Sequence, residues 1–417
     1  MPQKTITQSA DSLYAESQDN AFLGYPSSPS LISTADPDFE ETPASEAKVS
    51  TSEKATDKST RKSQPKRSNI ETLLVGLDLG TNSTYVQIAE PGAQAVEASA
   101  LIPTVVGYSR PGILPDVLPG NQTTFFGDEA IAHKLHLDLV QPLKDGVIED
   151  LETARDFLSH VKERIGDSKD TEYRAVIGTP ANAGSQAKEN IRLAVTQLFD
   201  KVILIPEPFL AALGSRKEST GIDPITNSIF VDIGAGSSDV CLIQGYYPSS
   251  HDQISLPFAG DAVDRIIQKA ILAKYPDCGI SVAKCREIKE TYSFVNGSNN
   301  SVLAPVVIRG KVKRLEVADA IDTACSALLE KIYQAVRTLI MRADPDSIPS
   351  LLENIIITGG GSMIPGFGEA LESLLLEEGF EGCKVTCVGD SYKSKVAAGA
   401  LITAHQADER QWQNLLR

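Results

Sequence analysis

One pattern occurs twice in this chain and restricts what it can fold into. Residues 74–84 read Leu-Val-Gly-Leu-Asp-Leu-Gly-Thr-Asn-Ser-Thr, and residues 229–239 read Ile-Phe-Val-Asp-Ile-Gly-Ala-Gly-Ser-Ser-Asp. Each copy is an apolar strand, then Asp-x-Gly, then small or hydroxyl-bearing residues that lead into a second strand. Gly80, Gly234 and Gly236 permit tight turns and close approach of backbone to a ligand. The small neighbours leave several backbone N–H groups able to converge on an anion. Asp78 and Asp232 fall at strand ends, where a carboxylate can hold Mg²⁺ through its water shell. A single Asp-x-Gly turn is common in β-hairpins. Two copies, each opening an α/β half, point to two lobes that clamp the β- and γ-phosphates of a nucleotide in the cleft between them.

A third glycine cluster follows an apolar strand at residues 354–366, Asn-Ile-Ile-Ile-Thr-Gly-Gly-Gly-Ser-Met-Ile-Pro-Gly. Gly359, Gly360 and Gly361 remove side chains where a planar ring could lie against backbone, and Ser362 follows them. The helix start expected near Pro365 offers N–H groups to a phosphate.

The chain around these motifs alternates short apolar runs with helical periods, the signature of an α/β fold. Strand-like runs cover 73–77, 84–89, 176–178, 202–205, 228–233, 240–243, 354–358 and 384–388. Apolar residues three and four apart mark two helices, one with Leu151, Ala154, Phe157, Leu158 and Val161, the other with Ile321, Ala324, Leu328, Ile332, Val336 and Leu339. The second is expected to end before Pro345, with Arg337 and Arg342 in its last turns. Residues 1–70 differ in kind. They are rich in Ser, Thr, Pro, Lys, Asp and Glu and carry no apolar period, so they are expected to remain disordered. Their end is basic (Lys54, Lys58, Arg61, Lys62, Lys66, Arg67) and reads as a solvated linker or as a docking arm for an acidic partner or membrane surface.

Composition narrows the function classes. The 417 residues carry a net charge of -16, which argues against broad binding to nucleic-acid backbones. No apolar run approaches the roughly 20 residues of a membrane span. The longest, 202–213, contains Pro206, Glu207 and Pro208. The polar N-terminus has no signal-peptide core, and 6 cysteines form no disulfide framework, so a cytoplasmic setting is the simplest expectation. Cys383 and Cys387 flank a strand with no second Cys or His cluster, so no zinc site is expected.

Taken in order, the three motifs resemble the phosphate-1, phosphate-2 and adenosine motifs of the actin-like ATPase superfamily, which includes actin, Hsp70 chaperones and sugar kinases. Residues 102–107, 127–130, 142–148 and 258–264 resemble segments of bacterial actins that Hsp70s and sugar kinases do not usually carry. Residues 173–181, 206–209, 288–295 and 385–388 are similar to the magnetosome-filament branch of the bacterial actins. The resemblance spans about residues 72–405. It implies an actin-like fold with lobe I at 71–214 (small subdomain about 99–141), lobe II at 215–390 (small subdomain about 261–316), and a C-terminal helix at 391–417 returning to lobe I. The implied activity is hydrolysis of ATP with Mg²⁺, coupled to self-assembly into cytoplasmic, cytoskeletal filaments that serve magnetosome-associated partners; a cell-shape filament of the bacterial-actin kind, or a non-polymerising ATPase or phosphotransferase on the same fold, is the alternative. In this picture Glu207 positions the attacking water, Asp232 is the second essential acid, and Asp78 organises Mg²⁺. Thr81 and Asn82, with Gly234, Ala235, Gly236 and Ser237, contact phosphate. A helix at 284–290 would supply ribose and base contacts, with Arg286, Glu287 and Lys289 the candidates in an ambiguous register.

Overall fold

Two large sheets are built on the two repeated motifs. A computed structural model describes residues 71–93, 95–166, 168, 170–216, 223–296 and 301–415. The segment expected to be disordered, residues 1–70, lies outside the described residues.

The first half runs β1 (Glu71–Leu79), β2 (Ser83–Ala89), β3 (Ala98–Pro103), β4 (Val106–Ser109), β5 (Thr124–Phe126), α1 (Gly127–Ala132) and β6 (Leu137–Val140). A short hairpin of β7 (Leu143–Lys144) and β8 (Val147–Ile148) follows, then α2 (Leu151–Ile165), β9 (Thr171–Thr179), α3 (Ser185–Val195), β10 (Lys201–Pro206) and α4 (Glu207–Ser215). The second half opens with β11 (Ser228–Ile233), β12 (Ser238–Ile243), β13 (Gln253–Leu256), α5 (Gly260–Lys274), α6 (Val282–Tyr292), β14 (Leu303–Ile308) and β15 (Lys311–Glu316). It continues through α7 (Ala318–Ile340), α8 (Ile348–Leu352), β16 (Ile355–Thr358), α9 (Phe367–Glu377) and β17 (Val385–Cys387), and closes with α10 (Lys395–Gln406) and β18 (Gln413–Asn414).

The sheets repeat one topology. Their orders are β18-β10-β9-β1-β2-β3 and β13-β12-β11-β16-β17, so β10-β9-β1-β2-β3 corresponds strand for strand to β17-β16-β11-β12-β13. In each, the first strand of the motif is antiparallel to the strand after it and parallel to its other neighbour. Parallel strands bring their carboxyl ends to one edge, and ligands of open α/β sheets bind in the crevice there. That edge carries Asp78 and Asp232.

Burial follows the sequence periods. Ala154, Phe157, Leu158 and Val161 are buried on α2, whose start is capped by the Asp150 carboxylate accepting from the Glu152 and Thr153 N–H groups. All six apolar residues marked on α7 are buried. Arg342, expected in its last turns, lies beyond the helix end and donates to the His251 carbonyl instead. One apolar core lies within each half, and another, with Val176, Leu210, Phe230, Ile356 and Val396, joins the facing sides of both sheets. Its walls are α4 and α10. A Cβ at Gly399 would lie 1.8 Å from the Leu210 carbonyl oxygen, so these two helices touch backbone to backbone. β4, β5 and β6 form a separate sheet with its own core around Phe125 and Leu137, while β3, which falls largely within the segment 99–141, pairs with the large sheet. α10 packs on α4, β1 and β9, and β18 pairs with β10, so the end of the described chain rests on the first half.

Candidate functional site

The two motif turns face one cavity of about 1220 Å³. Asp78, Gly80, Thr81 and Asn82 line it from the first half, and Asp232, Gly234, Ala235, Gly236 and Ser237 line it from the second. The β7–β8 hairpin braces the first turn. Its central residues, Asp145 and Gly146, have φ of 48° and 77°, the pairing that a tight two-residue hairpin favours. The Gly146 N–H donates to Thr81 Oγ1 at 3.0 Å. Glu207, the first residue of α4, lines the same cavity and packs on the backbone of Gly178 at the end of β9.

Asp78, Asp232 and Glu207 line this cavity, and Asp239 is buried close behind them. Burial pushes Asp78 up to about 7. Asp232 is pushed up to about 8 by burial and by repulsion from Asp78 and Asp239. Burial also raises Asp239 to about 6, although it accepts hydrogen bonds from the Ser237 hydroxyl at 2.8 Å and the Ala181 N–H at 2.9 Å. Glu207 is held well above the usual carboxylate range by burial and by the charges of Asp78, Asp239 and Asp232. Shifts of this kind gather where groups do chemistry or hold a cation. Among the described residues, no group of three or more His, Cys, Asp or Glu side chains is arranged to hold a metal ion directly. The donor set suits a hydrated Mg²⁺, which keeps several waters and takes one or two carboxylates together with substrate phosphates.

The third glycine loop closes the cavity beside Asp232. Gly359 has φ of 74°, and a Cβ there would lie 2.5 Å from Asp232 Oδ1 and 2.4 Å from the Ile233 carbonyl oxygen, so no side chain fits. Gly359, Gly360 and Gly361 line the cavity. Ser362 does not. It is buried, and its hydroxyl donates to the Gly359 carbonyl at 2.7 Å, so it shapes the loop from behind.

α6 resolves the ambiguous register. Ala283, Arg286, Lys289, Glu290 and Ser293 face the cavity, while Cys285 and Ile288 turn into the core. Glu287 is exposed, bonded to Lys284 Nζ at 2.6 Å, and absent from the cavity wall. It lies about 100° around the helix from Arg286. Glu290, one turn further along, occupies the position facing the cavity.

Sequence reasoning passed over Asp239, Glu290 and Tyr392. Asp239 carried a signal, being the one charged residue in β12, a strand buried along its whole length. Tyr392 lines the cavity from the short turn before α10, with its hydroxyl close to Gly360, and nothing in its sequence context marks it.

Comparison with known proteins identifies the family of the fold. The family described as MreB/Mbl protein matches residues 72–411. The actin-like protein MamK of Paramagnetospirillum magneticum is 32% identical over 348 residues, covering 82% of this chain and 95% of that protein. Among solved structures, a MamK double helical filament superposes with a TM-score of 0.73 at 31% identity, over 81% of this chain and 100% of that one. A non-polymerising point mutant of MamK bound to AMPPNP gives 0.58 at 31% identity, over 80% of this chain and 99% of that one. With its duplicated sheets, paired Asp-x-Gly turns and this degree of likeness, the chain belongs to the MreB/Mbl family of actin-like proteins.

Proposed function

We propose that this protein is an ATP-hydrolysing bacterial actin that polymerises head to tail. The observation that carries the reading is the convergence of Asp78, Asp232 and Glu207 on one cavity, beside glycine turns from both halves. In the proposed reaction the two turns bind the β- and γ-phosphates through backbone N–H groups, and Ser237 and Thr81 flank them. Gly359, Gly360 and Gly361 take the adenosine, with Lys289 and Glu290 beside it. When bound, Mg²⁺ neutralises charge on the triphosphate, and Asp78 and Asp232 are the residues that would hold its water shell. Glu207 accepts a hydrogen bond from the attacking water and aims it at the γ-phosphorus. The water oxygen bonds to phosphorus as the bond to the β–γ bridging oxygen breaks, giving ADP and phosphate, and one water proton leaves to solvent.

Closure of the two halves on ATP would favour a heterologous contact that repeats without closing into a ring. A MamK filament is a neighbour in fold, and it matches this chain more closely than the non-polymerising AMPPNP-bound form. We infer from the likeness to MamK that the filaments are cytoplasmic and position magnetosome organelles. Among the described residues, no helix is long and apolar enough to cross a membrane. The likeness to relatives named as cell shape-determining proteins Mbl and MreB supports a cell-shape filament as the second reading. Sedimentation of the purified protein with Mg-ATP, followed alongside phosphate release, tests the proposal. Pelleted polymer that forms with ATP and falls as phosphate is released supports it, and soluble protein over a wide concentration range refutes it. A fluorescent fusion then separates the two readings, one predicting a line along an organelle chain and the other patches at the cell periphery.

A further inference from the structure

Arg286 makes three directed contacts. Its Nε–H donates to Asp264 Oδ2 at 3.1 Å, and a terminal N–H donates to Asp261 Oδ1 at 2.7 Å. The other terminal nitrogen donates to Asn82 Oδ1 at 2.8 Å. The first two partners sit on α5, in the same half as α6. Asp264 is fully buried and is paired as well with Lys289 Nζ at 2.8 Å. The guanidinium plane is therefore fixed within the second half before it reaches anything else, and a planar fork fixed on two carboxylates points its remaining arm in one direction. That arm crosses the cavity to the first motif turn. Asn82 is exposed, and its backbone carbonyl accepts from the Thr104 N–H at 3.0 Å, which ties it to the entry of the small sheet β4–β6.

We propose that the Arg286–Asn82 hydrogen bond is a latch across the mouth of the cavity, and that it sets how readily the two halves open. Arg286 is a positioning residue in this account and does not act on the substrate. The second half holds its arm rigidly, while the Asn82 end is solvent-exposed. The latch therefore breaks at Asn82, and it breaks without disturbing the buried Asp264 cluster. A cleft held partly by the chain itself releases its contents more slowly than one held by ligand contacts alone.

Two readouts test the latch, and only the second rests on the nucleotide reading. The variants are Asn82→Ala, Arg286→Gln and the double substitution. In the empty protein, amide hydrogen exchange at residues 80–83 and 283–290 should quicken in each single variant, with no further gain in the double. In the loaded protein, release of a fluorescent ATP analogue should accelerate about 10-fold in each single variant, equivalent to about 1.4 kcal/mol. The double variant should release no faster than the faster single variant. Side chains that acted independently would multiply their effects in the double. Multiplied effects would overturn the latch, as would single variants that exchange and release at the wild-type rate. A wild-type protein that fails to bind the analogue contradicts the nucleotide reading, while the exchange data still decide the latch.

Discussion

Asp232 stands directly opposite Asp239 across the β11–β12 ladder. Like charges in that position destabilise a strand pair, and burial raises the cost further. The pair is tolerable while a proton or a cation neutralises it. Asp232 and Asp239 are pushed up to about 8 and about 6 from an ordinary 3.8. Both folded values lie above the unfolded one, so their contribution to stability is complete below the unfolded value and is lost as pH rises through the folded values. Asp232→Asn removes the charge that must form. Thermal unfolding of the nucleotide-free protein should show this variant gaining on wild type between about pH 5.5 and about pH 8.5. The gap at the upper end should reach several degrees, and a gap independent of pH would contradict the account.

The same excess of negative charge predicts a cation effect. Wild-type protein at about pH 8.5 should unfold at a higher temperature when ATP and Mg²⁺ are added together than with ATP and a chelator. Ligand at 100 times its Kd contributes about 2.7 kcal/mol. Calorimetric scans check this, and equal temperatures with and without chelator would remove the metal from the site.

In the proposed reaction Glu207 orients the attacking water. Glu207→Ala should lower phosphate release by roughly a hundredfold or more, while ATP-dependent pelleting persists and the polymer lasts longer. Phosphate release at the wild-type rate would remove Glu207 from the mechanism.

Gly359→Ala tests the wall beside Asp232. The new methyl would lie 2.5 Å from the Asp232 carboxylate at a residue with φ of 74°. Backbone strain there costs roughly 1–3 kcal/mol, and the clash displaces the carboxylate. Circular dichroism should show a folded but less stable protein, and calorimetry should show weakened ATP binding. Unaltered affinity would mean that the loop does not shape the site.

Much of the architecture was legible because its signals are local. The run 228–233 reads as a strand and forms one with those bounds, and the stripe from Ile321 to Leu339 describes the buried face of α7. Asp78 and Asp232 stand out in the sequence because the turn chemistry around them repeats, and both line the cavity. Glu287 misled because helical phase in 284–290 cannot be fixed without knowing which face the core takes, and Cys285 and Ile288 take it. Ser362 reads like a ligand contact beside three glycines, yet its hydroxyl closes its own turn. The Arg286–Asn82 contact joins residues 204 positions apart, and no local pattern announces it.

The central claim is that the two turns together hold a metal-bound triphosphate. Isothermal titration of ATP into wild type, Asp78→Ala and Asp232→Ala, each with and without Mg²⁺, tests it most directly. The account predicts tight binding by wild type only with Mg²⁺, and loss of that metal dependence in both variants. Binding that ignores the metal in wild type, or that keeps its full metal dependence without either carboxylate, would contradict it.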